Sequence, residues 1–168
     1  VMICAGIDAG SRAIKVVVWD TAAGRVVGRG MADQGVEQER LANALLDRVL
    51  AEQGLGRDAL DGIVATGYGR DAILAAQTTV TEITCHARGV HATVPAARTV
   101  IDIGGQDSKL IRLDPDGRVR DFVMNDRCAA GTGCFLEVVA RRLGVALAEL
   151  GTLAARSGEP AVVSSTCV

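Results

Sequence analysis

Two short stretches of this 168-residue chain nearly repeat one another. Ile7-Asp8-Ala9-Gly10-Ser11 returns as Ile101-Asp102-Ile103-Gly104-Gly105, each time between apolar runs of β-type residues. Each copy reads as strand, acidic-glycine turn, strand. The first hairpin runs from Ile3–Asp8 into Ala13–Trp19, and the second from Thr99–Ile103 into Ser108–Leu113. Such a turn leaves backbone N–H groups unpaired and facing outward. Glycine lets a phosphate come close to that backbone, and an Asp ending the incoming strand can hold a metal or its water. One Asp-x-Gly is ordinary turn chemistry. Two in matching contexts point to a nucleotide gripped between two hairpins.

The rest of the chain gives these hairpins a lobe to stand on. Strands are expected at 3–8, 13–19 and 25–31, then a helix over Glu39–Gln53 whose Leu41, Leu45, Leu46, Val49 and Leu50 form one apolar stripe. A short buried strand follows at 61–66, a helix near Asp71–Ala76, a short strand or extended loop at Val80–Thr84, and a helix through His86–Val90. Strands at 99–104, 108–114 and 118–124 come next, the last two joined by Asp114-Pro115-Asp116-Gly117. Helices at Thr132–Leu143 and Leu147–Ser157 complete the order. This predicts an α/β lobe with a mixed sheet, the second hairpin beginning another layer. Residues 1–98 carry the first hairpin and 99–168 the second.

Composition removes several function classes. Hydrophobic residues make up 49% of the chain and aromatic ones 2%, so the core is aliphatic. A net charge of -2 offers no field for a polyanion, which excludes nucleic acid as a partner. No apolar run reaches the roughly 20 residues of a membrane span. The N-terminus carries no basic segment ahead of its apolar stretch, so the expected location is cytoplasmic.

Gly67-Tyr68-Gly69-Arg70-Asp71-Ala72 satisfies the dinucleotide fingerprint G-x-G-x-x-G/A. The acidic residue that fingerprint requires belongs about 20 residues further on. Glu82 comes too early, and a dinucleotide domain has no need of two aspartate hairpins.

Roles follow for the hairpin residues. N–H groups around Gly10, Ser11 and Arg12 face the β- and γ-phosphates from one side, and those of Gly104, Gly105 and Gln106 from the other. Asp8 and Asp102 position Mg²⁺ through water, since magnesium keeps several waters and uses few carboxylates. Lys15 either reaches a phosphate or simply faces outward on its strand. Gln106 can orient an attacking water. Asp107 is either a base for a hydroxyl acceptor, as a kinase requires, or a cap on its turn.

Five cysteines stand at 4, 85, 128, 134 and 167. An odd count without Cys-x-x-Cys fits free thiols better than a disulfide framework. Cys4 and Cys85 are expected as small buried hydrophobes. Cys128 precedes Ala129-Ala130-Gly131-Thr132-Gly133 and a strong helix, whose free N–H groups would stabilise its thiolate. Cys167 follows Ser164-Ser165-Thr166. From the residues alone both packing and metal ligation stay open, and two thiolates per chain cannot complete a four-cysteine site.

The hairpin pair resembles the actin, sugar-kinase and heat-shock-ATPase superfamily. The blocks Ala65–Arg70, Glu82–Ala87, Val100–Asp107, Met124–Gly133 and Val163–Cys167 are similar, in order, to the ATP-dependent activators of 2-hydroxyacyl-CoA dehydratases. The related benzoyl-CoA reductase ATPase subunits share them. This resemblance implies an actin-like (ribonuclease H-like) fold, ATP hydrolysis, and a homodimer with a [4Fe–4S] cluster on its axis held by Cys128 and Cys167 of both subunits. It also implies a dehydratase or benzoyl-CoA reductase-type partner and an electron donor such as ferredoxin or flavodoxin. Relatives continue past residue 168 into a lobe for the adenosine, so the chain reads as the N-terminal part. Cys134 replaces a larger polar residue and is read as inert, with oxidation or alternative ligation the other options. A small-molecule kinase of the same superfamily and a non-catalytic nucleotide- or metal-binding module are the competing functions.

Overall fold

The computed structural model describes residues 2–161. Cys167 and the Val163–Cys167 block therefore lie outside the described residues.

Among the described residues eight strands form two sheets. Five of them, β1 (Ile3–Ala9), β2 (Ala13–Asp20), β3 (Arg25–Asp33), β4 (Gly62–Thr66) and β5 (Thr78–Thr79), are ordered β3-β2-β1-β4-β5. The first three pair antiparallel, while β4 joins β1 and β5 joins β4 in parallel. The three strands β6 (Thr99–Ile103), β7 (Ser108–Leu113) and β8 (Val119–Asn125) form an antiparallel meander. This is the expected mixed α/β architecture.

Side-chain alternation decides which face each hairpin buries. Ala5, Ile7 and Ala9 of β1 and Ile14, Val16 and Val18 of β2 point to one side. There they meet Leu45, Leu46, Val49 and Leu50 of helix α1 (Gln38–Glu52), the stripe read from the sequence. The same alternation turns Asp8 and Lys15, which are register partners, to the opposite face. A smaller core joins sheet and helix further on, where Ile111 and Leu113 of β7 pack on Ile83 and Ala87 of α2 (Glu82–Thr93).

Three local expectations are corrected. The segment 71–76 is not a helix: a single 3-10 turn at Arg70–Ala72 ends so that Ile73 can enter the core, where it is 3% exposed. Residues 82–84 are helical and begin α2. The Thr81 hydroxyl accepts the Thr84 N–H (3.4 Å) and caps the helix, while the extended pairing falls earlier, at Thr78–Thr79. The last helical region divides into a 3-10 turn at Leu147–Glu149 and α4 (Leu150–Ala155). Helix α3 (Gly133–Leu143) stands as expected and closes on Gly144 at φ 69°. Among the described residues no helix is long and apolar enough to cross a membrane.

Candidate functional site

The two aspartate hairpins line one cleft of about 390 Å³. Asp8, Gly10, Ser11, Arg12 and Lys15 face it from the first hairpin, and Asp102, Gly104, Gly105, Asp107 and Lys109 from the second. Glu82 and His86, one turn apart on α2, and Tyr68 complete the wall. Gln106 is exposed and is not among the lining residues.

At the first hairpin the Lys15 ammonium donates to Asp8 Oδ2 at 2.8 Å. Asp8 Oδ1 is buried and has no hydrogen-bond partner. The cause lies next door. Gly67, at φ 93°, brings the turn after β4 so near that a Cβ there would sit 2.5 Å from Asp8 Oδ1 and 2.6 Å from the Ala9 carbonyl. Gly69 then donates its N–H to Ala9 O at 2.9 Å. The two glycines of the dinucleotide-like stretch thus serve close packing against the end of β1. Among the described residues the N–H groups of Gly10, Ser11 and Arg12 meet no acceptor, as a phosphate cradle requires.

The second hairpin repeats the device in a different environment. Lys109 is the register partner of Asp102, as Lys15 is of Asp8, and donates to its Oδ2 at 3.4 Å. Lys109 also donates to Asp107 Oδ1 at 2.7 Å and lies 3.6 Å from Glu82. Its side chain is 3% exposed against 51% for Lys15. Burial opposes the charged form of Lys109, but the hydrogen bond to Asp107 and the charges of Glu82, Asp107 and Asp102 outweigh it. Its pKa is therefore raised above the ordinary 10.5. His86 Nδ1 lies 3.3 Å from Asp102 Oδ2.

The turn between β6 and β7 closes through Gly104, whose N–H donates to the Asp107 carbonyl at 2.9 Å. A Cβ on Gly104 would stand 2.6 Å from Asp107 Oδ1. With that N–H engaged, the groups left for a phosphate on this side are those of Gly105 and Gln106. Asp107 resolves in favour of the turn: its carbonyl closes the loop and its carboxylate holds Lys109, so it does not stand as a free base.

Helix α3 is tied to both hairpins. Arg12 donates to Glu137 Oε1 and Oε2, both at 2.6 Å, and this bond with the Glu137 charge raises the Arg12 pKa. The N–H groups of Gly133 and Cys134 donate to the carbonyls of Gly104 and Gly105, each at 2.9 Å. This corrects the expectation that the opening N–H groups of α3 face Cys128, because these two are spent on the hairpin. Cys128 sits half-buried just before them, its carbonyl accepting from Asn125 Nδ2 at 3.1 Å. Cys4 and Cys85 are half-buried too, not fully enclosed; Cys4 falls on the outward side of β1, in phase with Gly6 and Asp8 and opposite the buried Ala5 and Ile7.

Sequence reasoning passed over Lys109, Glu82 and His86. For Lys109 the signal is present: Asp-x-Gly-x-x-x-x-Lys occurs at 8–15 and again at 102–109. Lys109 is also in phase with the inward Ile111 and Leu113. Among the described residues no three His, Cys, Asp or Glu side chains form a ready metal cage. Magnesium bound chiefly through waters and phosphates needs no such cage.

Known proteins are similar to this chain in sequence and in fold. The activator of lactoyl-CoA dehydratase from Anaerotignum propionicum is 45% identical over 166 residues, covering 96% of this chain and 62% of its own. The solved activator of the 2-hydroxyisocaproyl-CoA dehydratase from Clostridium difficile, with bound ADPNP, superposes at a TM-score of 0.87 with 39% identity, over 99% of this chain and 61% of that one. The Acidaminococcus fermentans (R)-2-hydroxyglutaryl-CoA dehydratase component A gives 0.89 and 35%, over 99% and 64%. The chain thus spans about three fifths of the length of these relatives. A family model matches residues 5–168, nearly the whole sequence. With this coverage, and with the fold and paired hairpins in place, the chain belongs to the BadF/BadG/BcrA/BcrD ATPase family.

Proposed function

We propose that this chain is the phosphate-binding part of an ATP-hydrolysing activator that delivers a low-potential electron to a 2-hydroxyacyl-CoA dehydratase or a benzoyl-CoA reductase-type enzyme. The observation that carries the reading is the pair of Asp–Lys hairpins lining one cleft in a chain of this family.

MgATP fits what the cleft offers. Uncommitted N–H groups at Gly10, Ser11, Arg12, Gly105 and Gln106 suit phosphate oxygens, and the unpartnered Asp8 Oδ1 is an acceptor for a magnesium-bound water. In this reading Asp8 and Asp102 hold the ion's waters from opposite hairpins. Lys15, half-exposed, transfers from Asp8 to phosphate as the ion arrives. Gln106, at the apex of its turn, orients the water that attacks the γ-phosphate. The relative of known structure with bound ADPNP supports a nucleotide here.

Cys128 with Cys167, each from two chains, gives the four thiolates of a [4Fe–4S] cluster, which supplies one-electron reducing chemistry. The chain's own part is to present Cys128 on the loop immediately before α3, the helix bonded to both hairpins. The homodimer, a ferredoxin or flavodoxin donor and a cytoplasmic setting belong to the same proposal. The test is anaerobic purification of the full-length protein, with iron, sulfide and ATP turnover measured together. Iron without hydrolysis, or hydrolysis without iron, refutes the combined assignment.

A further inference from the structure

The two hairpins share a pattern yet hold their lysines differently, and the difference identifies a residue with no role so far. Lys15 lies half in solvent and touches one carboxylate. Lys109 is enclosed and touches three, from three places in the chain: Asp102 on β6, Asp107 at the turn, and Glu82 in the first turn of α2. It occupies the inward position of β7 that Ile111 and Leu113 occupy further along. A lysine in an apolar row, enclosed among carboxylates, is costly unless each contact is made. Even so, Asp107 Oδ2 remains buried without a partner.

We propose that Lys109 is a positioning residue, a built-in cation that fixes Asp102 and Glu82 on the cleft wall before nucleotide enters. This rests on the reading of Asp102 as a magnesium-water ligand. The reasoning is geometric. Asp102 is 24% exposed and has a second neighbour, His86, at 3.3 Å. With Lys109 at 3.4 Å from the same oxygen, both contacts draw Oδ2 toward the α2 side. The other oxygen is left for a water of the ion. Glu82 is drawn to the same ammonium, so the start of α2 is registered against the hairpin by one charge. Without Lys109, three carboxylates face one another and Asp102 keeps only His86 to hold its rotamer. A ligand misplaced by about 1 Å costs on the order of 10²-fold in a well-built site.

The test uses the full-length protein and three variants. Lys109→Met alone leaves Asp107 buried and unpaired and can fail to fold. Lys109→Met with Asp107→Asn removes that penalty, while Lys109→Arg keeps the charge and shifts it outward. Thermal melting, affinity for a fluorescent ATP analogue with and without Mg²⁺, and steady-state turnover are measured on each. The double variant should melt near the wild type and bind the analogue normally in chelator. Its Mg²⁺-linked gain in affinity and its kcat should each fall about tenfold, with Lys109→Arg intermediate. Wild-type Mg²⁺ linkage and kcat in the double variant would show Lys109 to be only structural and overturn the proposal. Asp102→Asn separates the two levels. If it too keeps wild-type Mg²⁺ linkage, the magnesium reading of this hairpin is what fails. If it loses that linkage while the double variant does not, only the role of Lys109 falls.

Discussion

Replacing Asp8 by Asn should cut activity sharply while leaving stability almost unchanged. The carboxylate makes one ion pair, with Lys15 at 2.8 Å, between side chains 25% and 51% exposed. A pair this open contributes about 0–1 kcal/mol. Against it stands Oδ1, enclosed by Gly67 and Ala9 without a hydrogen bond. An unsatisfied buried acceptor costs about 1–3 kcal/mol. Asn is isosteric and keeps a polar amide atom in that enclosed position, so this cost stays, and only the open ion pair is lost, about 0–1 kcal/mol or at most about 2–4 °C in Tm for a protein of this size. Turnover should fall much further, because the Asp8 carboxylate is read as holding a magnesium-bound water once Lys15 leaves it for phosphate. A loss of at least about tenfold in kcat corresponds to about 1.4 kcal/mol of transition-state stabilisation. Differential scanning calorimetry of the nucleotide-free protein, paired with a phosphate-release assay, reads both. A lower Tm together with unchanged kcat would refute the reasoning, since Asp8 would then be a structural ion-pair partner.

Gly67→Ala should lower both Tm and turnover, because the new Cβ would stand 2.5 Å from Asp8 Oδ1 at a φ of 93°; a wild-type melting curve would contradict the packing role given to that glycine. Cys128→Ser and Cys167→Ser should each remove nearly all iron, since symmetry doubles every loss, whereas Cys4→Ser, Cys85→Ser and Cys134→Ser should retain it; iron per dimer decides. For Lys109 the sign is fixed by its raised pKa: its contribution is complete below the ordinary 10.5 and is lost as pH rises through the folded value. Alkaline melts of the wild type should therefore lose stability that Lys109→Met with Asp107→Asn does not lose, and parallel curves would count against the charge cluster. Glu137→Gln should speed amide exchange over residues 128–136 by weakening the hold of Arg12 on α3, and unchanged exchange there would remove that contact from the coupling.

Both hairpins and α1 were legible because their signals are local. Alternation along β1, β2 and β7 sets the buried face, and the Leu and Val stripe of α1 has helical period. The α2 start was not. Val80-Thr81-Glu82-Ile83-Thr84 is rich in β-branched residues and reads as extended. In the fold Thr81 caps a helix there, and Ile83 and Ala87 are drawn onto Ile111 and Leu113. Tertiary packing overrides propensity at this point and delivers Glu82 and His86 to the cleft, so neither could be placed from periodicity alone. Lys109 was hidden for another reason. A lysine in a strand is ordinarily a solvent-facing residue, and the Glu82 carboxylate that helps hold this one inside lies on α2, distant in sequence.

The geometry also bears on how events in the cleft can reach the cysteine loop. Helix α3 approaches the hairpins through three links: Arg12 to Glu137 from the first, and the Gly104 and Gly105 carbonyls to the N–H groups of Gly133 and Cys134 from the second. The last two arise from Gly104 and from Gly105, itself read as a phosphate contact. Gly105 therefore lines the cleft and gives its carbonyl to α3, through a single residue's backbone. A rotation of that residue to meet a phosphate also moves the acceptor that holds Cys134 N–H. Arg12 has the same double position, being on the phosphate turn while its guanidinium grips α3. Cys128 lies five residues before Gly133, with Thr132 buried between them and its hydroxyl fixed to Ala129 O at 2.6 Å. That short, internally bonded turn is poorly suited to absorbing a displacement of α3. A displacement of α3 by either hairpin would therefore reach the Cys128 loop through the bonds that join them, which is what the Glu137→Gln exchange measurement tests.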